Sequence, residues 1–179
     1  QAALGDGVHA PVRAAQGRGQ QHAATQALGI AGGRHVDIDA LAARLKQRLP
    51  NDASPLQRLR ALNRFFFIEL GFAGNVNDYY DRRNSYLHEV LISRRGIPIT
   101  LALLFCELAG QIGLTARGVS FPGHFLVKLR MPQGEVVIDP FNGRSLSREA
   151  LDERLQPYRA RHGLEGDFEG VLGKAILLA

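Results

Sequence analysis

Two residues in the C-terminal half could do proton chemistry together: His124, which opens the segment His124 to Arg130, and Asp139, which ends the segment Glu135 to Asp139. Both segments read as strands, and Met131-Pro132-Gln133-Gly134 between them suits a tight turn with Pro second. Closing that hairpin sets Arg130 opposite Glu135, Leu129 opposite Val136 and Val127 opposite Ile138. Charged partners then share one face and apolar partners the other, which makes the register self-consistent. Leu126 falls opposite Asp139, so His124 is its diagonal neighbour on the same face, about 7–8 Å away at Cα. The ring and the carboxylate are expected to approach to about 2.6–3.2 Å. A carboxylate that takes the proton of one ring nitrogen fixes the tautomer and leaves the other nitrogen basic, which is the base-and-orienter half of a nucleophilic triad. The same spacing serves a structural His–Asp bond closing a strand end, and spacing alone leaves both readings open.

A nucleophile is harder to find. Cys106 is the single cysteine, and it lies on the small-residue face (Ala102, Cys106, Ala109, Gly113) of a helix opened by Pro98. The opposite face carries Leu101, Leu104, Phe105, Leu108 and Ile112. A helix apolar over this much of its circumference is central and buried, so Cys106 reads as a small core hydrophobe. Thr100 and Ser120 offer hydroxyls, for which capping and strand-edge bonding are the plainer roles. The six His residues show no metal-ligand spacing, one Cys cannot build a zinc site, and the glycines near 32–33 and 110–113 form no phosphate loop, so neither metal nor cofactor is expected.

Other elements must position these groups. Residues 1–35 are rich in Ala, Gly, Gln and Arg without a sustained apolar period, and are expected to be disordered or loosely attached, with the folded domain spanning 36–179. From Asp37, Leu41, Leu45 and Leu49 recur at helical spacing. Ser54-Pro55 starts a second helix through Leu59, Leu62, Phe66 and Leu70, stopped by Gly71. Asn75 to Asp81 reads as a loop, after which Asn84 or Ser85 caps a short helix carrying Leu87, Val90 and Leu91 and ended by Gly96. Ala116 to Phe121 is a third strand, and Ser147 caps a last helix ending near Leu155. Tyr79, Tyr80, Asn84 and Tyr86 form a polar-aromatic cluster that could rim a groove or brace the loop. This is an α+β pattern, with helices followed by a small antiparallel sheet.

Composition bounds the function. At 179 residues with 45% hydrophobic and 22% charged residues the chain resembles ordinary globular sequence. It contains no apolar run of about 18 residues, so no membrane span is expected. One cysteine fits a reducing compartment, and no signal pattern follows Gln1, so a cytoplasmic location is expected. The net charge of +5 invites a nucleic-acid reading, but 22 basic residues are interleaved with 17 acidic ones and no basic-aromatic stacking pattern accompanies them. Solvated surface is the expected role of these charges.

The motifs Asn77-Asp78-Tyr79-Tyr80-Asp81, Arg83-Asn84-Ser85-Tyr86-Leu87, Arg94-Arg95-Gly96-Ile97-Pro98-Ile99-Thr100, Gly118 to Phe125 and Ile138 to Gly143, in this order, resemble the bacterial SirB-like branch of the transglutaminase-like superfamily. The resemblance runs from Asp37 to the C-terminus. It implies a papain/transglutaminase-like core, with a central helix packed on an antiparallel sheet, Cys at the helix start, and His and Asp on successive strands. His124 then matches the triad His and Asp139 the triad Asp. Setting Gly96-Ile97-Pro98 on the usual Gly-x-Cys puts Pro98 at the nucleophile position, where catalytic relatives use the helix dipole to favour a thiolate. The resemblance thus implies a relict dyad in a non-catalytic domain of regulatory association, binding a protein or peptide segment in a cleft to which Tyr79, Tyr80, Asn84, Tyr86, Thr100 and Ser120 contribute. The alternative is a hydrolase or acyltransferase using His124 and Asp139 with another nucleophile. Longer relatives continue into helical repeats, a continuation not expected within these 179 residues.

Overall fold

The computed structural model describes residues 37–162 and 177–178, so the expectation for residues 1–35 lies outside the described residues. The chain starts with α1 (Ile38–Lys46), capped by Asp37, whose carboxylate accepts from Asp39 N–H at 2.9 Å. Helix α2 (Pro55–Asn63) opens on a reciprocal cap. Ser54 Oγ accepts from Gln57 N–H at 3.3 Å while Gln57 Oε1 accepts from Ser54 N–H at 2.8 Å, with Pro55 at the first helical position.

The second helix does not run regularly to Leu70. It widens into a π turn over Arg64–Glu69, in which Leu70 N–H reaches back five residues to the Phe65 carbonyl at 2.8 Å. Three consecutive phenylalanines cannot all face one side of a regular helix. The wider turn buries Phe65 and Phe66 and packs Phe67 against the same core. Phe66 stacks on Phe72 at 4.4 Å and meets Phe105 edge-on at 5.3 Å.

Strand β1 (Ala73–Gly74) pairs in parallel with β2 (Arg95–Gly96), and between them lie a 3₁₀ turn at Arg82–Ser85 and helix α3 (Leu87–Ser93). Two expectations fail here. The N-cap of α3 is Tyr86, with no side-chain cap bond, so neither Asn84 nor Ser85 caps it. The helix ends before Arg94, which adopts the left-handed conformation (φ 62°), while Gly96 is already paired in β2.

Helix α4 (Pro98–Gln111) is the central helix. A five-stranded antiparallel sheet follows, ordered β6-β5-β4-β3-β7: β3 (Thr115–Phe121), β4 (His124–Met131), β5 (Gly134–Asp139), β6 (Arg144–Leu146) and β7 (Leu177–Leu178). The hairpin register is the expected one, with Arg130 opposite Glu135, Leu129 opposite Val136 and Val127 opposite Ile138. The carboxylate of Glu135 nevertheless pairs diagonally, with Lys128 Nζ at 3.1 Å.

Alternation divides the sheet into two buried faces. Phe125, Val127, Leu129 and Ile138 join Leu101, Leu104, Phe105 and Leu108 of α4 in the main core. Val119, Phe121, Leu126 and Val137 meet Leu151 and Leu155 of the last helix, α5 (Arg148–His162), in a second core. Ser147 does cap α5, accepting from Ala150 N–H at 3.2 Å, but the helix continues through Pro157 instead of ending near Leu155. The fold is α+β, as expected.

Candidate functional site: a histidine–aspartate pair beside a tyrosine loop

His124 is the first residue of β4 and Asp139 the last of β5, and both belong to the face that packs on α5. His124 Nε2 lies 2.8 Å from Asp139 Oδ1, within the distance anticipated from the register. Asp139 is 1% exposed. Its carboxylate holds three further donors: Phe141 N–H to Oδ1 at 3.1 Å, Asn142 Nδ2 to Oδ2 at 3.1 Å and Arg154 Nη1 of α5 to Oδ2 at 3.1 Å. Burial works to raise the pKa of this carboxyl, but the bond and charge of His124, the Arg154 bond and the Phe141 amide outweigh it and hold it below its ordinary value. An ionised Asp139 can only accept, so Nε2–H of His124 donates in this bond.

The surroundings of this pair come from the chain turn after Asp139. Phe141 sits edge-on to the His124 ring at 6.1 Å and tilted to Tyr79 at 6.0 Å, and Tyr79 meets Tyr80 at 5.3 Å. Phe141 fits only because Gly74 has no side chain: a Cβ there would stand 2.2 Å from the ring. Gly74 N–H donates to the Phe141 carbonyl at 2.8 Å, and the next residue, Asn75, donates to the Gly96 carbonyl at 3.0 Å. The strand end bearing the dyad is thus tied, through Phe141 and β1, to the segment that leads into α4. On the other side, Tyr158 of α5 abuts Gly123 (φ 68°), the residue before His124.

The other expected site residues separate into two groups. Tyr79 (42% exposed), Tyr80 (93%) and Tyr86 (51%) stand at the surface. Asn84 and Thr100 are buried and lie behind the wall, not on it. Asn84 Nδ2 donates to the Asp78 and Tyr79 carbonyls at 2.7 and 3.0 Å, and its Oδ1 accepts from Asn75 Nδ2 at 3.0 Å. Thr100 Oγ1 accepts from Ile97 N–H at 3.2 Å and donates to the Asn84 carbonyl at 2.9 Å. These two residues brace the tyrosine loop against the start of α4 and have no free polar atom to offer a ligand. Ser120 is exposed, but it alternates with Val119 and Phe121, so it belongs to the sheet face opposite His124.

Pro98 is buried at the first position of α4, after the N-cap Ile97. Cys106 is partly buried two turns further on and packs against the main core. Burial, assisted by the charge of Glu107, pushes its thiol up to about 12. Arg154, Phe141 and Asn142 were not foreseen as partners of Asp139. Phe141 and Asn142 are in the Asp139-Pro140-Phe141-Asn142 motif, where an Asx-type bond was a readable signal. No local pattern announces Arg154.

A central helix on an antiparallel sheet, with His and Asp bonded on adjacent strands, is the arrangement that the resemblance implied. The chain belongs to the transglutaminase-like superfamily, whose family model matches residues 35–171. It is 50% identical over 102 residues to a "UPF0162 protein" of Xylella fastidiosa (strain 9a5c), covering 56% of this chain and 36% of that protein. Similarity to a "UPF0162 protein" of Vibrio cholerae serotype O1 is 34% over 123 residues, or 68% of this chain and 45% of that one. A 72-residue stretch is 46% identical to human "F-box only protein 21", 40% of this chain but 12% of that protein. The chain therefore spans less than half the length of these relatives. No solved structure matches. Among the described residues, no helix is long and apolar enough to cross a membrane.

Proposed function

We propose that this is a non-catalytic transglutaminase-like domain of the SirB-like branch, working in a reducing compartment and binding a peptide or protein segment along the tyrosine loop beside His124. The observation that carries this reading is Pro98, buried at the helix start where catalytic members of the superfamily place their thiol. The nearby hydroxyl of Thr100 is committed to Ile97 and Asn84, and Cys106 stands two turns away with its thiol strongly disfavoured from ionising. The Asp139 carboxylate serves four donors from three parts of the chain, which suits a structural hub as much as a triad. Exposed Tyr79, Tyr80 and Tyr86 offer the large, rigid, amphipathic contact area that recognition surfaces use. Similarity to a small fraction of F-box only protein 21 fits a domain that recurs within longer proteins.

Two measurements test the reading. Incubation with a fluorescent primary amine and a glutamine-bearing acceptor protein should give no labelling above a no-protein control, and His124→Ala should leave that result unchanged. Turnover in the wild type that His124→Ala abolishes would establish the alternative, a hydrolase or acyltransferase with another nucleophile. Selection from a random peptide library should yield binders that Tyr79→Ala/Tyr80→Ala loses, whereas equal binding by this variant would remove the tyrosine loop from the proposal.

A further inference from the structure

Charge is unevenly shared along the first two helices. Between residues 44 and 69 the chain carries six basic residues (Arg44, Lys46, Arg48, Arg58, Arg60, Arg64) and two acidic ones (Asp52, Glu69), against 22 and 17 in the whole sequence. This stretch is therefore not the mixed-sign surface expected of the rest. Arg44, Arg48, Arg60 and Arg64 are exposed. Packing brings three of them together. The guanidiniums of Arg44 and Arg48 both lie over the Phe65 ring, at 5.6 and 5.0 Å from its centroid. Arg48 and Arg64 both approach Glu69, the first in a close ion pair and the second at 3.5 Å. Arg60 stands one turn before Arg64, whose N–H reaches its carbonyl, so it belongs to the same row.

The π turn adds an apolar element to this row. It turns Phe65 and Phe66 inward and leaves Ile68 77% exposed, beside Glu69 and four residues after Arg64. Glu69 shows what these guanidiniums hold, since its one carboxylate is shared between Arg48 and Arg64. That carboxylate offsets one of the four charges. Arg44 and Arg60 have no acidic partner among the described residues. A phosphate chain would meet the same charges, but single-stranded nucleic acid also needs rings for its bases to stack on. Among the described residues, α1, α2 and the π turn expose no aromatic ring, and an open isoleucine offers nothing to a phosphate. Carboxylates flanking an apolar side chain match both features of the row.

We propose that the row Arg44, Arg48, Arg60 and Arg64, with Ile68 beside it, docks an acidic segment of a partner protein that carries an apolar residue among its carboxylates. The partner's carboxylates extend to Arg44 and Arg60 the kind of bond that Glu69 already makes, and its apolar residue covers Ile68. This surface is built from α1, the turn after it, α2 and the π turn. It takes no residue from the His124–Asp139 pair or the tyrosine loop and does not depend on the function proposed for them.

The test is fluorescence anisotropy of the 179-residue chain with three labelled probes: a short Glu-rich peptide with a central Leu, the same peptide with Ser in place of Leu, and single-stranded DNA of matched charge. The Leu-bearing peptide should bind saturably at about 50 mM salt and lose at least about tenfold in affinity by about 500 mM. Arg44→Glu/Arg60→Glu should bind it at least about tenfold more weakly than wild type. Ile68→Ser should bind it about threefold more weakly, and should not distinguish itself from wild type with the Leu-free peptide. The changed positions are exposed, so both variants should melt within about 3 °C of wild type. DNA binding at least as tight as that of the Leu-bearing peptide overturns the proposal in favour of nucleic acid. Undiminished peptide binding by Arg44→Glu/Arg60→Glu, or no saturable binding at low salt, overturns it outright.

Discussion

Asp139 joins β4, the following loop and α5 through one carboxylate, so its removal measures what that junction contributes to stability. Asp139→Ala strips the acceptor from His124, Phe141 N–H, Asn142 and Arg154 together. Arg154 and His124 can partly regain water, with side chains 37% and 22% exposed, so their share is at the low end for charged pairs, about 1 kcal/mol each. The part-buried Phe141 amide and the Asn142 amide lose bonds worth about 1 kcal/mol apiece. The expected loss is about 3–4 kcal/mol, in the range for breaking a buried charged pair, or about 6–16 °C in melting midpoint for a chain this size. Asp139→Asn keeps one oxygen for His124 and Phe141 but turns an NH₂ toward Asn142 and Arg154, and should cost about 2 kcal/mol. Urea unfolding at neutral pH reads both values. The pH dependence follows from the lowered pKa of Asp139. A carboxyl depressed in the folded state contributes stability above its unfolded value, near 3.9, and loses it as pH falls through the folded value. The gap between wild type and Asp139→Asn should narrow as pH falls below about 4. An Asp139→Asn variant within about 0.5 kcal/mol of wild type at neutral pH refutes the hub.

Three further outcomes are expected. Cys106, with its thiol pushed up to about 12, should react with a disulfide reagent at pH 8 orders of magnitude more slowly in the native protein than in guanidinium; a native rate within about tenfold of the unfolded one would show the thiol to be accessible. Gly74→Ala drives a methyl to 2.2 Å from the Phe141 ring and should cost about 2–3 kcal/mol while shifting the His124 ring resonances, whereas unchanged resonances would mean that Phe141 does not set the ring's environment. Asn84→Ala should cost about 2–3 kcal/mol and Thr100→Val about 1–2 kcal/mol, and because Thr100 acts through the Asn84 carbonyl the double variant should lose less than the sum; strict additivity in denaturant unfolding would separate the two.

Elements whose local chemistry agreed with their packing were legible in the sequence. The β4–β5 register was readable because a two-residue turn and a two-sided pattern pointed to one pairing, so Val127 meets Ile138 as anticipated. Ser54-Pro55, Pro98 and Ser147 marked helix starts by capping and first-turn proline rules that act within one turn. The misreadings lie where distant contacts decide. Gly96 looked like the natural stop for α3, yet the left-handed position belongs to Arg94, whose side chain is held on Phe72 from another element. The π turn answers a packing demand of three adjacent phenylalanines, which periodicity at 3.6 cannot express. Strands β1, β2, β6 and β7 are two or three residues long and carry no period to detect.

The dyad was legible because both residues lie on one hairpin, but its meaning was not, because the remaining partners of Asp139 arise elsewhere. A triad carboxylate is defined by what it does for its histidine. Asp139 does as much for α5 and for the turn at Phe141, and those ties require no reaction. The two roles part in a double-mutant cycle on stability. If the carboxylate serves His124 alone, Asp139→Asn should cost nothing further once His124 is Ala. If it is a hub, His124→Ala should cost about 1 kcal/mol, and Asp139→Asn should still cost about 1 kcal/mol or more in that background, because Phe141, Asn142 and Arg154 remain to be held. The second outcome accounts for a His–Asp pair in a fold whose central helix begins with proline, since the carboxylate then has structural work that a nucleophile neither adds to nor requires.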